Sequence, residues 1–505
     1  MINLNRVLVA PLVCYSLLGA AQVDEFALRY AGTITQEELR EHLTILASDA
    51  YMGRDTGKEG QKMAAAYIKK RFQSIGIPEV PAPAPDAVVE GYFQTFALLE
   101  ERSGSISIES ASGTLTFLKE LLYFNEGLPS DREVNEMIFA GDGSDMGRMK
   151  GTAGRVLLVV PPLREPMAQV SALRPLAEVA GKAGAEVVLV AIRDMPALVE
   201  QAGHYAGGSR MRLADSGTTA TKPAGPQIIL IDARELELLL GKNTLSKLAR
   251  KKAGRKLPVA FTLRKRPQES RSNSENVLGY IEGSDKKNEL VVITAHYDHI
   301  GVENGVVYNG ADDDGSGTVA LLEIAEAFAK AKAEGHGPRR SVLVMPVSGE
   351  EKGLLGSRYY SDNPVFPLEN TVADLNIDMI GRLDSTHATS APYVYIIGSD
   401  RLSSELHAVN EEANRTFSHL ELDYTFNAEN DPNRFYYRSD HYNFARKGVP
   451  SIFYFSGVHE DYHQPGDDVE KIRFDLLQQR TLLVFHTAWL LANREARIVV
   501  DKPVK

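Results

Sequence analysis

The second half of this chain is a series of short apolar runs that end on histidine or acid. Residues 289–295 lead into His296, residues 341–345 are followed shortly by Glu350 and Glu351, and residues 373–377 lead into Asp378. A further run, 451–455, precedes a loop that carries His463. Runs of this length read as strands, and helices fit between several of them. From Thr318 to Lys332, for instance, Leu321, Ile324, Ala325 and Phe328 share one helical face. Strands alternating with helices predict an α/β fold, a mostly parallel mixed sheet sandwiched by helices. In such sheets ligands gather beyond the carboxyl ends of the strands, where these polar residues fall. Pro346 cannot donate to a ladder, so a bulge or strand end is expected there.

At 505 residues the chain exceeds what one hydrophobic core usually organises. Between 115 and 262 the pattern changes to strand-like Arg155–Val160, a helical stretch over 176–183, and strand-like 185–192 and 227–231. This small α/β unit holds no cluster of histidines or acids suited to catalysis and reads as an insertion between 22–114 and 263–505. Before it, Thr35-Gln36-Glu37-Glu38 has capping-box spacing ahead of Leu39, Leu43 and Leu46, and a second helix runs from Gly60 to Gly76. A polar loop, 47–57, separates the two. Gly91–Leu99 and Ser105–Glu109 suggest a hairpin.

A net charge of −11 disfavours a polyanion-binding surface, so no nucleic-acid partner is expected. Residues 7–21 are apolar, follow Asn5-Arg6, end in small residues and are too short to span a bilayer, as in a signal peptide over 1–21. The expectation is export to a periplasm or the exterior, with no stable membrane insertion after cleavage. The only cysteine, Cys14, lies in that segment, so a processed chain carries no disulfide and no thiolate site.

His296 and Asp298 are two residues apart and point to the same side of an extended segment, which lets the carboxylate orient the imidazole through its other nitrogen or support the residues around it. Asp312, in the turn 309–317, suits a carboxylate bridging two cations. In Glu350-Glu351 one acid can bind metal while the other accepts a proton as general base. Asp378 ends a buried-looking strand, where a carboxylate needs a partner. His463 supplies a second imidazole, with His299, His441 and His459 as rivals. A set of nitrogen and oxygen donors without sulfur suits zinc with room for water, and two such ions would activate a carbonyl and a shared water for acyl hydrolysis.

These segments, TAHYDHIG (294–301), NGADDDGSG (309–317), SGEEKGLLGS (348–357), NIDMIGR (376–382), RSDHYNF (438–444) and DYHQPGDD (461–468), resemble the secreted co-catalytic di-zinc aminopeptidases, relatives of glutamate carboxypeptidase II and the transferrin receptor. ASDAYMGRDTGKEG (47–60) looks like the segment preceding the catalytic part in that family, and the insert is similar to a protease-associated domain. The resemblance implies two Zn²⁺ per chain, one bound by His296 and Asp378, the other by Glu351 and His463, with Asp312 bridging and a cis peptide to Asp313. It further implies Glu350 as general base, Asp298 as support for His296, Tyr462 as oxyanion donor, and peptides as substrates. The same centre would serve a carboxypeptidase or dipeptidase if cations, such as Arg164, Arg193, Arg210 or Arg212 of the insert, reached the cleft. A receptor-like binding protein is the reading of a different class. The oligomeric state is not legible from the sequence.

Overall fold

The computed structural model describes residues 24–81, 89–123, 131–162, 168, 171–206, 209–214, 226–388 and 392–504; the expected signal segment and Arg164 lie outside them. Seven strands form the sheet that carries the polar residues: β1 (Gly279–Ile281), β2 (Lys286–His296), β3 (Arg340–Val347), β4 (Thr371–Ile377), β5 (Tyr393–Ile397), β6 (Glu421–Asp423) and β7 (Ser451–Phe455), in the order β1-β3-β2-β4-β7-β5-β6. The central pairings β3-β2-β4-β7 are parallel, whereas β1 on β3 and β5 on β7 are antiparallel. Both faces are covered, which is why these strands are apolar throughout instead of alternating. Val291, Ile293 and Ala295 of β2 face a core shared with helices Gly317–Ala333 and Phe474–Asn493, while Leu290 and Val292 face a second core with Tyr360 and Phe444.

Of the bulge or strand end expected at Pro346, the structure has the strand end: β3 stops at Val347, one residue on. From Ser341 to Val347 the strand keeps an even register with β2, Pro346 lying opposite Ala295; the one shift falls earlier, between Lys286 and Leu290. On its other side β1 pairs only with Val342 to Val344, so no ladder bond is asked of the proline there.

The helix opened by Thr35 spans Gln36–Leu46, and Thr35 Oγ1 accepts from the Glu38 N–H at 3.1 Å. The next helix spans Glu59–Ser74. The expected hairpin over 91–109 is instead one strand, Phe93–Ser110, paired antiparallel with Arg255–Val277 from Phe93 opposite Val277 to Ser110 opposite Phe261. Apolar residues on both sides of the polar stretch 100–105 belong to one ladder, which a turn reading of that stretch misses.

Both strands belong to a separate ten-stranded sheet. Its parallel strands Val156–Val159, Val187–Ile192 and Gln227–Asp232 lie between two apolar clusters of their own. The first and last helices of the described chain pack against each other. The single tryptophan, Trp489, is buried and donates its Nε1–H to Asp24 Oδ2 at 2.8 Å.

Candidate functional site

The strand ends bring the expected residues to one place. His296 closes β2, Glu350 and Glu351 follow β3, and Asp378 follows β4. The turn 311–316, between Gly310 and helix Gly317–Ala333, inserts its acids into the same space. His463 comes from a loop beyond β7 and sits at φ 55.

At the centre lies Asp313, which corrects the expectation for Asp312. Asp313 Oδ1 is 3.2 Å from His296 Nε2 and its Oδ2 is 3.1 Å from His463 Nε2. Asp378 Oδ1 is 3.6 Å from His296 Nε2, and Glu351 Oε2 is 3.3 Å from His463 Nε2. Asp312 points away: its Oδ1 accepts from the Gly381 N–H at 2.6 Å and its Oδ2 lies 3.2 Å from His459 Nε2. The cis peptide, expected between Asp312 and Asp313, joins Asp313 to Asp314. Asp467 holds the turn by accepting from the N–H groups of both Asp312 and Asp313. Asp314 caps the helix, its Oδ1 accepting from Gly317 N at 2.8 Å and from Met379 N at 3.1 Å.

Of the two roles expected for the Asp298 carboxylate, the structure shows the support of neighbouring residues. The acceptor at His296 Nδ1 is the Asp298 backbone carbonyl, at 3.0 Å, while the carboxylate oxygen is 3.9 Å away. That carboxylate accepts from Thr56 Oγ1 at 2.5 Å and from the Glu350 N–H at 3.3 Å, tying the loop 47–57 to the acidic pair. Arg54 in the same loop is fully buried and donates to the carbonyls of Leu46, Tyr297, Asn309 and Gly310. It fixes the end of β2 and the start of the acidic turn together. Ser439 Oγ donates to Asp378 Oδ2 at 2.6 Å. His441 is fully buried against Tyr436 and Phe453 and does not join the cluster.

The donor atoms form two groups that share Asp313: His296 with Asp378, and Glu351 with His299. His463 completes the second. His296 Nε2, Asp313 Oδ2 and Glu351 Oε1 are buried without a hydrogen-bond partner, and buried polar atoms are rarely left so. Within each group the donor atoms lie within 4.8 Å of one another, as donors for one cation do. Burial, reinforced by Glu351, Asp378 and Asp440 over the pull of His296, holds the Glu350 carboxyl well above the usual carboxylate range. Burial and Asp313 push Glu351 upward, but His299 and His463 outweigh them and hold it down to about 2.

Beside the cluster is a cleft lined by Met379, Phe435, Phe453, Phe455 and Val458, with Arg438 and Tyr462 at its polar side. Tyr462 stacks on His463, ring centroids 4.0 Å apart, and its hydroxyl accepts from Arg438 Nη2 at 3.2 Å. Burial raises the Tyr462 hydroxyl above its ordinary value, which keeps it a donor. Arg212 of the insert pairs with Glu101, Arg210 lies on the strand beside it, and Arg193 lines a separate cavity of about 340 Å³. None of these three lines the cleft. Arg438, the first residue of the segment RSDHYNF, is a cation that does.

Residues 276–488 match the model of Peptidase family M28. The chain is similar to a "Probable zinc metalloprotease" of Pyrenophora teres f. teres, 28% identical over 257 residues, 44% of this chain and 52% of that protein. It is also similar to "Aminopeptidase YwaD" of Bacillus subtilis, 27% identical over 232 residues, 44% of this chain and 46% of that one. It thus spans about half the length of the curated relatives it matches. The solved aminopeptidase from Aneurinibacillus sp. strain AM-1 has the same fold, with TM-score 0.53 and 18% identity over 95% of this chain and 98% of that one.

Proposed function

We propose that residues 276–488, the part matched by the M28 peptidase model, carry a di-zinc centre, and that the protein is an exopeptidase removing amino-terminal residues from peptides. The observation that carries this reading is the pair of donor groups sharing Asp313, with buried donor atoms that have no other partner. His296, Asp313 and Asp378 would hold one ion, and Asp313, Glu351 and His463 the other. Zinc bound there supplies Lewis acidity toward a peptide carbonyl and toward water. Glu350, whose Oε2 lies 4.0 Å from His296 Nε2, takes the proton from the attacking water and returns it to the leaving amine. The hydroxyl of Tyr462 donates to the oxygen that gains charge. The aromatic cleft accepts an apolar side chain, and the acids beside it favour a free ammonium.

The relatives' printed names, zinc metalloprotease and aminopeptidase, support the same activity. Arg438 favours one second reading, a carboxypeptidase in which the guanidinium pairs with a terminal carboxylate. The insert over 115–262, as a protease-associated-like domain limiting substrate entry, and export through a signal peptide over 1–21 belong to this proposal.

The test is release of p-nitroaniline from amino-acid anilides by purified protein with and without a chelator, beside peptides blocked at either end. Activity that survives the chelator defeats the zinc reading, and cleavage of amino-blocked peptides alone selects the carboxypeptidase. Glu350→Gln is expected to lower kcat by about 10²–10⁴-fold with zinc content unchanged.

A further inference from the structure

His299 falls in the donor group of Asp313 and Glu351 but was assigned to no ion above, and it is fully buried beside them. Its Nδ1 is 2.8 Å from Glu351 Oε1 and 3.9 Å from Asp313 Oδ2. At 2.8 Å a ring N–H would normally hydrogen-bond a carboxylate. Here neither His299 Nδ1 nor Glu351 Oε1 makes a well-formed hydrogen bond despite that distance. His296 Nε2 shows the same pattern: it lies 3.2 Å from Asp313 Oδ1 and 3.6 Å from Asp378 Oδ1, and bonds neither. Two donors each roughly 2.0–2.2 Å from one tetrahedral ion stand roughly 3–3.5 Å apart and point at the ion, not at each other.

The backbone is arranged to place this ring. The His299 N–H donates to Arg54 O at 3.2 Å, which anchors the residue to the buried loop 47–57. Gly310 leaves the space the ring occupies, since a Cβ there would come within 2.5 Å of His299 Cγ and Cδ2. His463, by contrast, sits on an exposed turn with 38% of its side chain accessible.

Resting on the di-zinc reading, we infer that His299 Nδ1 is a metal donor in the half held by Glu351. That half then has four protein donors, His299, Asp313, Glu351 and His463, and is closed. The other half has three, His296, Asp313 and Asp378, and is the one left open to water and substrate.

Proton NMR of the full-length protein loaded with Co²⁺ tests this through the hyperfine-shifted, solvent-exchangeable imidazole N–H signals. Three such signals, from His296, His299 and His463, are expected, and His299→Gln should lose one. The same variant should weaken Zn²⁺ in the half held by Glu351 by at least about 100-fold in calorimetric titration and leave the half held by His296 and Asp378 unchanged. Two signals in the unaltered protein, or two zinc affinities unaltered in a folded His299→Gln, overturn the assignment while leaving the di-zinc reading intact. Failure of the unaltered protein to take up Zn²⁺ or Co²⁺ overturns both. Should His299→Gln not fold, by circular dichroism, the signal count in the unaltered protein decides alone.

Discussion

Replacing Asp313 by Asn removes the carboxylate between the two imidazoles and is expected to abolish uptake of both zinc ions, measured by metal analysis after dialysis. The same change at Asp312 leaves the acceptor for the Gly381 N–H in place, and zinc content should stay near that of the unaltered protein; equal loss in both variants would contradict the geometry. This contrast marks the limit of what the sequence tells at this scale. Three consecutive acids announce a charged turn, but which one faces the cluster depends on the turn's conformation. That conformation is held by Asp467, more than 150 residues away. His296, Glu350, Glu351, Asp378 and His463 were legible because each follows a strand whose end is marked by the apolar run before it. Arg54 was not, because an arginine in a polar loop usually faces solvent. Buried on four carbonyls, it makes Arg54→Leu costly, about 3 kcal/mol or more in urea unfolding, since each orphaned acceptor costs about 1–3 kcal/mol.

Helix Gly317–Ala333 was legible from its period, yet one of its buried residues breaks the apolar face. Glu323 lies 3.6 Å from His42 Nε2, and neither carboxylate oxygen has a hydrogen-bond partner. Burial, with Glu38 and Glu326 adding repulsion, raises its carboxyl to about 8. The folded state therefore prefers the neutral acid, and stability falls as pH rises from the unfolded carboxyl value, about 4.3, through about 8. Glu323→Gln should remove that loss. Its Tm advantage over the unaltered protein should be absent at pH 4, grow to about pH 8 and level off beyond; an advantage independent of pH speaks against a buried titrating acid. A second element crosses between units: strand Ser209–Leu213 of the insert pairs with Phe93–Ser110, and Met211 and Leu213 pack with Leu355, just beyond the Glu350-Glu351 loop. Met211→Ala should cost about 2 kcal/mol and speed amide exchange over 349–357, a segment it does not adjoin in sequence.

The molecule contains two bodies with separate apolar cores, and only one of them contains Trp489. Tryptophan fluorescence therefore follows the metal-binding body alone, whereas far-ultraviolet circular dichroism follows both. Unfolding curves from the two probes should separate in urea, with added Zn²⁺ moving the fluorescence transition most; coincident curves at every zinc concentration would indicate a single cooperative unit. The α/β class was legible at this scale, because the regions that form the two sheets each repeat a strand and helix pattern of their own. The junction was harder to locate, since the strands 93–110 and 255–277 run through it without a break in composition. Their pairing also has an evolutionary consequence. Ser110 and Phe261 are ladder partners, so the chain returns beside the place it departed. Cutting out or swapping everything between them would leave ends that a short turn can join at little entropic cost. The intervening segment is thus exchangeable in one genetic event, without the remainder having to re-learn its fold.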